Sequence, residues 1–106
     1  MPVTPGVFVT CTVANQAYPI FNGHKLVKTL LIQPKYVNSG VTFIGDSTLS
    51  PTTDVGIMKQ LQQPDALNIP AFELTEYDAP NGLNLGNFYV ASSQAGDIIY
   101  YSYNEQ

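Results

Sequence analysis

The chain has 106 residues, about one domain, with 44% hydrophobic but only 11% charged residues and a formal net charge of −4. Arginine is absent and the four lysines, Lys25, Lys28, Lys35 and Lys59, are scattered, so no basic face can form and nucleic acid and anionic membranes are excluded as partners. No apolar run nears the roughly 20 residues that span a bilayer, and the start lacks a basic segment followed by an apolar core, so no membrane step is expected.

Charge well below the roughly 25% of soluble domains suggests a surface that partners largely cover. The eight prolines and eight glycines fall too densely for long helices. Residues 1–6, "MPVTPG", carry two prolines and read as an extended N-terminal arm, with 7–106 as a single domain. In "GVFVTCTVA" (6–14), Val7, Val9, Cys11 and Val13 share one face and Phe8, Thr10 and Thr12 the other, the period of a half-buried strand. A short strand is expected near "AYPIF" (17–21). "HKLVKTLLIQP" (24–34) turns wholly apolar at Leu30–Ile32, as a strand covered on both faces would. After the turn "PKYVNSG" comes "GVTFIG" (40–45), then a Gly-Asp turn and an exposed Ser/Thr loop. The best helical spacing lies in 54–68, with Ile57, Met58 and Leu61 on one side; Gly56 weakens its start and Pro64 stops it, so a single turn or an irregular loop stays open there. "AFELTEY" (71–77), "LNLGNFYVAS" (83–92) and "DIIYYSY" (97–103) complete the strands. Short strands at this spacing describe an all-β fold, an antiparallel sandwich or barrel, and of the two the expectation taken is an antiparallel β-sandwich, jelly-roll-like, of about seven or eight strands. Val9, Cys11, Leu31, Ile32, Phe43, Phe72, Leu74, Phe88 and Val90 are its expected core.

The chemistry is sparse. His24, the sole histidine, sits beside a turn, and no G-x-S-x-G elbow accompanies it. One Cys and one His cannot close a zinc site. Glu73 and Glu76 point to opposite faces of one strand and make no carboxylate pair. Asp78 and Asn81 in "YDAPNG" are better explained by a turn than by calcium. "GDSTLSPTTDVG" lacks the Gly-Lys-Ser/Thr ending of a phosphate loop. Cys11, in an alternating strand, reads as a buried small hydrophobe. No enzyme activity, cofactor or metal is expected.

The order of the pieces resembles small virion proteins of tailed bacteriophages. "LLIQPKYVNSGVTFIGDSTLSPTTDVGI" is similar to their strand–turn–strand centre, with its "V-x-I-G-x-S-x-V-S" strand. "LNLGNFYVASSQAGDIIYYSY" resembles their C-terminal hairpin, and the likeness spans roughly residues 26–103. The chain departs from the pattern at "MKQLQQPDALNIP", where a shorter "L-x-P-G" link is the norm. The resemblance implies a capsid decoration (cement) protein on the outer surface of a virion, made in the bacterial host cytoplasm. It would clamp neighbouring major capsid protein subunits as a homo-oligomer, a dimer or trimer. The alternative it implies is a tail or spike module binding another virion protein or host glycans. Pro2, Val3, Thr4 and Pro5 of the arm, with Tyr89, Tyr101 and Tyr103, are the expected partner interface.

Overall fold

The computed structural model describes residues 3–65, 68–75 and 83–105. Among them nine strands form: β1 (Val3–Cys11), β2 (Tyr18–Pro19), β3 (Leu26–Pro34), β4 (Thr42–Ser50), β5 (Val55–Leu61), β6 (Phe72–Thr75), β7 (Leu83–Asn84), β8 (Tyr89–Ser92) and β9 (Asp97–Glu105). The alternating valines, threonines and aromatics of β1 and β9 favour extended backbone, and the Gly- and Asn-containing segments between strands supply the reversals.

The pairing is nested. β1 pairs β9, β2 pairs β8, β3 pairs β6 and β4 pairs β5, all antiparallel, as in one long hairpin whose tip is the β4–β5 connection. β9 also pairs β3, and β8 also pairs β4. These contacts roll the hairpin into a five-stranded sheet, ordered β1-β9-β3-β6 with β7 beside β3, and a four-stranded sheet, ordered β2-β8-β4-β5. A hairpin rolled so that successive strands alternate between two sheets is a jelly roll. The expected sandwich is present, with two more short strands than its lower count.

Between the sheets lie Cys11, Val27, Leu30, Ile32, Ile99 and Tyr101 of the larger and Ile44, Leu61 and Val90 of the smaller, with Ile20, Leu85 and Phe88 from the connections. Cys11, Ile32, Phe88 and Val90 are therefore core as expected, while Val9, Phe72 and Leu74 pack against its margin. Leu31 and Phe43 are corrections. Both are only half-buried, because Leu30 and Ile32, and Thr42 and Ile44, take the inward positions. β3 shifts register between Val27 and Thr29, and a one-residue shift moves every later side chain to the other face.

Other boundaries differ from the sequence reading. β1 starts at Val3, within the segment expected to be an arm: Val3 pairs Asn104 and Thr4 pairs Tyr103, before a register shift that ends at Val7. The expected single strand 83–92 is broken by a 3-10 turn, Leu85–Asn87, where Asn84 Oδ1 accepts from Gly86 N at 3.1 Å and Lys25 N at 3.0 Å. That turn carries the chain from one sheet to the other. Glu76, Asp78 and Asn81 lie outside the described residues.

The stretch with helical spacing forms a strand instead. β5 covers 55–61, and β4 runs straight through Gly45–Asp46 to Ser50 rather than turning there. Gly45 pairs Ile57 and Ser50 pairs Val55, so Asp46–Leu49 bulge opposite Gly56 alone, whose φ is +72°. Asp46 Oδ1 holds the bulge by accepting from Thr48 N at 2.8 Å and from the Thr48 hydroxyl. A Cβ on Gly45 would lie 1.9 Å from Gly56 O, a backbone atom that cannot swing aside. Gly45→Ala is expected to cost about 1–3 kcal/mol, the usual range for overpacking. A urea melt unchanged from wild type would show that the two strands can separate freely here.

Candidate interaction surfaces

A dense polar cluster lies where the turn after β3 meets the β8–β9 turn. Asp97 is only 6% exposed. Its Oδ1 accepts from Ser39 N at 3.2 Å, and its Oδ2 from Gly40 N at 2.9 Å and the Ser92 hydroxyl at 2.7 Å. Beside it, Asn38 Oδ1 accepts from Ile98 N at 2.9 Å and Asn38 Nδ2 donates to Ile98 O at 2.6 Å. A side chain at Gly40 would press on Ser92 Oγ, Ser93 Oγ and Asp97 Oδ2, each within 3 Å of its Cβ. The carboxylate thus fastens two turns and is closed to a substrate.

Cys11, opposite Asp97 in the β1–β9 register, is buried. Burial pushes its thiol up from 9.0 to about 11, and the Asp97 carboxylate adds to the rise. Since the thiolate is the nucleophile, the native protein should resist thiol reagents at pH 8 and react promptly once unfolded. Rapid labelling of native protein would contradict the burial. The raised pKa also fixes a sign: the stabilisation it represents is present below pH 9 and is lost as pH climbs towards about 11.

His24 is exposed, as expected of a turn residue. Among the described residues no three His, Cys, Asp or Glu side chains gather as a metal-binding group. No described helix is long and apolar enough to cross a membrane.

What the protein does present is the outer face of the larger sheet. Ile99 and Tyr101 are buried, so alternation turns Ile98, Tyr100 and Ser102 outward. The same logic turns out Leu31 and Gln33 of β3, and Phe8 and Thr10 of β1. Register places Phe8, Tyr100 and Gln33 in one row across three strands, and Ser102, Leu31 and Glu73 in the next. Phe8 is 60% exposed and meets Tyr100 edge-on, with ring centroids 6.2 Å apart. Two shallow depressions cross this face, one around Thr29, Leu31, Glu73 and Asn104 and one around Leu31, Gln33, Tyr100 and Ser102. In these two rows Glu73 is the one charged side chain.

This arrangement reassigns the expected interface tyrosines. Tyr101 is 5% exposed and belongs to the core. Tyr103 also faces inward, stacked on Tyr101 at 6.2 Å, with Lys25 Nζ 5.7 Å from its ring centroid. β9 therefore turns Tyr100, not Tyr101 or Tyr103, to the outer face. Three tyrosines in "YYSY" must split between faces, and the buried Ile99 shows which way. Tyr89 is half-buried on β8, beside Pro19 and Gly45. Val3, Thr4 and Pro5 belong to β1, and Pro2 lies outside the described residues. Sequence reading missed Phe8, Leu31, Gln33 and Tyr100 as a group because only the order β1-β9-β3 makes them neighbours.

The class defined by this fold and surface is a jelly-roll β-sandwich with a sparsely charged, partly aromatic sheet face. Comparison with protein-family models, curated proteins and solved structures finds no match.

Proposed function

We propose that the protein is a structural virion component that decorates a bacteriophage capsid and clamps neighbouring major capsid subunits. The observation that carries this reading is the outer face of the larger sheet, where Phe8, Tyr100 and Leu31 stand in two rows whose one charge is Glu73. Aromatic anchors with little charge to desolvate suit attachment to another protein surface. The jelly-roll fold and the resemblance over 26–103 agree with a rigid covering module. Several copies gripping several subunits would add avidity to modest single contacts.

The test mixes undecorated heads with wild-type protein or a Leu31→Lys/Tyr100→Lys variant and measures particle occupancy by cryo-electron microscopy. Full occupancy by wild type and at least a tenfold weaker hold by the folded variant are expected, because the change removes two apolar anchors and puts two charges where contact must desolvate them. Equal occupancy would remove this face from the mechanism. Absence of wild-type binding to heads, with binding to tails or glycans, would favour the tail or spike alternative. The Tyr100 ring flanked by Gln33 and Ser102 is the feature that supports that second reading. Deleting residues 2–6 would be no clean test of the arm, since it also removes Val3 and Thr4, which pair β1 with β9.

A further inference from the structure

Among the described residues the outer strands are β1, β6 with the two-residue β7 beside it, β2 and β5, and they are protected unequally. Open strand edges expose unpaired N–H and C=O groups, so folded proteins blunt them with shortness, charge, proline or bulges. β2 has two residues and contains Pro19. β6 has four and carries the exposed Glu73. β5 carries the exposed Lys59 and adjoins the bulge opposite Gly56. β1 is different. Pro5 and the register shift before Val7 blunt its beginning, but Val7–Cys11 is five residues of unbroken register against β9 with no charge and no proline. On it Val7 is 39% and Phe8 60% exposed, and Thr10 is also exposed.

We infer that the Val7–Cys11 edge of β1 is a self-association site, where it pairs antiparallel with β1 of a second copy and joins two five-stranded sheets across a dyad. Self-pairing follows from the chemistry of the segment. An antiparallel strand paired with itself is isologous, so each residue needs a compatible counterpart from the same short sequence. "VFVTC" has no charge to set against its like in any register. It is also β-branched and aromatic, the kind of sequence whose cross-strand pairs stabilise sheets. Alternation is preserved across a dyad at Val9, which would set Phe8 against Thr10 on the outer face and Val7 against Cys11 on the inner. The outer faces of both copies, Phe8 and Tyr100 included, would then form one continuous surface. This goes further than the proposed capsid role by placing the second copy, and its test needs no capsid.

Sedimentation velocity of the purified chain at about 100 µM should show a dimer. Thr10→Lys and Thr10→Glu, each checked for a wild-type circular dichroism spectrum and melt, should each dissociate at least tenfold more readily, because like charges then approach across the dyad. An equimolar mixture of the two should recover the dimer. A monomeric wild type, or an oligomer that both variants leave intact, would overturn the inference. Should the variants fail to fold, hydrogen exchange on wild type decides the question. Amides of residues 7–11 should gain protection as concentration rises from about 1 to 100 µM, and concentration-independent exchange there would equally overturn it.

Discussion

Asp97→Ala is expected to lower the unfolding free energy by about 3–5 kcal/mol, a large share of the roughly 5–15 kcal/mol that stabilises a domain of this size. The carboxylate receives three hydrogen bonds, two of them buried, from Gly40 N and Ser92 Oγ, and one part-buried, from Ser39 N. Truncation leaves these donors without their acceptor, and each unsatisfied buried group costs about 1–3 kcal/mol. Ser92 can recover part of its share by rotating its hydroxyl, whereas the two backbone N–H groups are fixed by the turn that Gly40 allows. Asp97→Asn should cost less, about 1–2 kcal/mol, since one amide oxygen remains to accept while its NH2 faces a donor. Urea melts followed by circular dichroism measure both. A loss under about 1 kcal/mol for Asp97→Ala would mean that the turn after β3 does not depend on this fastening.

Asp97 also marks a limit of what the sequence alone could convey. Ser39 and Gly40 precede it by 58 and 57 residues, and "NSG" and "AGD" each read as self-sufficient turns. Only the rolled hairpin brings β9 beside β3 and docks the two turns. Strand existence was far more legible, because "GVFVTCTVA" and "AFELTEY" alternate with a period of two that burial on one face requires. Phase was legible only where polar residues break the tie. In "LLI" and "YYSY" both faces are apolar or aromatic, so Leu31 was expected inside and Tyr101 outside, the reverse of what packing selects. The misreading of 54–68 has a different cause. Ile57, Met58 and Leu61 fit a helical stripe by spacing, but the bulge at Asp46–Leu49 and the pairing of β5 along β4 override local preference. The outer face rested on strand order, which periodicity does not contain.

The second large effect sets two phenylalanines apart that sequence treats alike. Phe72 and Phe88 each lie at an apolar position of an expected strand, and on that basis each would cost the same on truncation. Phe88 stands where the 3-10 turn feeds β8, its N–H donating to Leu85 O at 3.2 Å and its carbonyl accepting from Ile20 N at 3.1 Å. At 6% exposed it belongs to the core cluster with residues of both sheets. Phe72 begins β6, at the border of the larger sheet, and is only half-buried against that cluster. A cavity opened at the centre of two sheets cannot collapse without moving both, whereas a border position can relax into solvent. Phe88→Ala should therefore cost about 3–5 kcal/mol and Phe72→Ala about 1–2 kcal/mol. Paired denaturant melts with equal m-values would give the two differences directly. Equal losses would place β6 as deep in the sandwich as β8. A smaller loss for Phe88 than for Phe72 would mean that the turn at Leu85–Asn87, not packing between the sheets, holds that side chain in place.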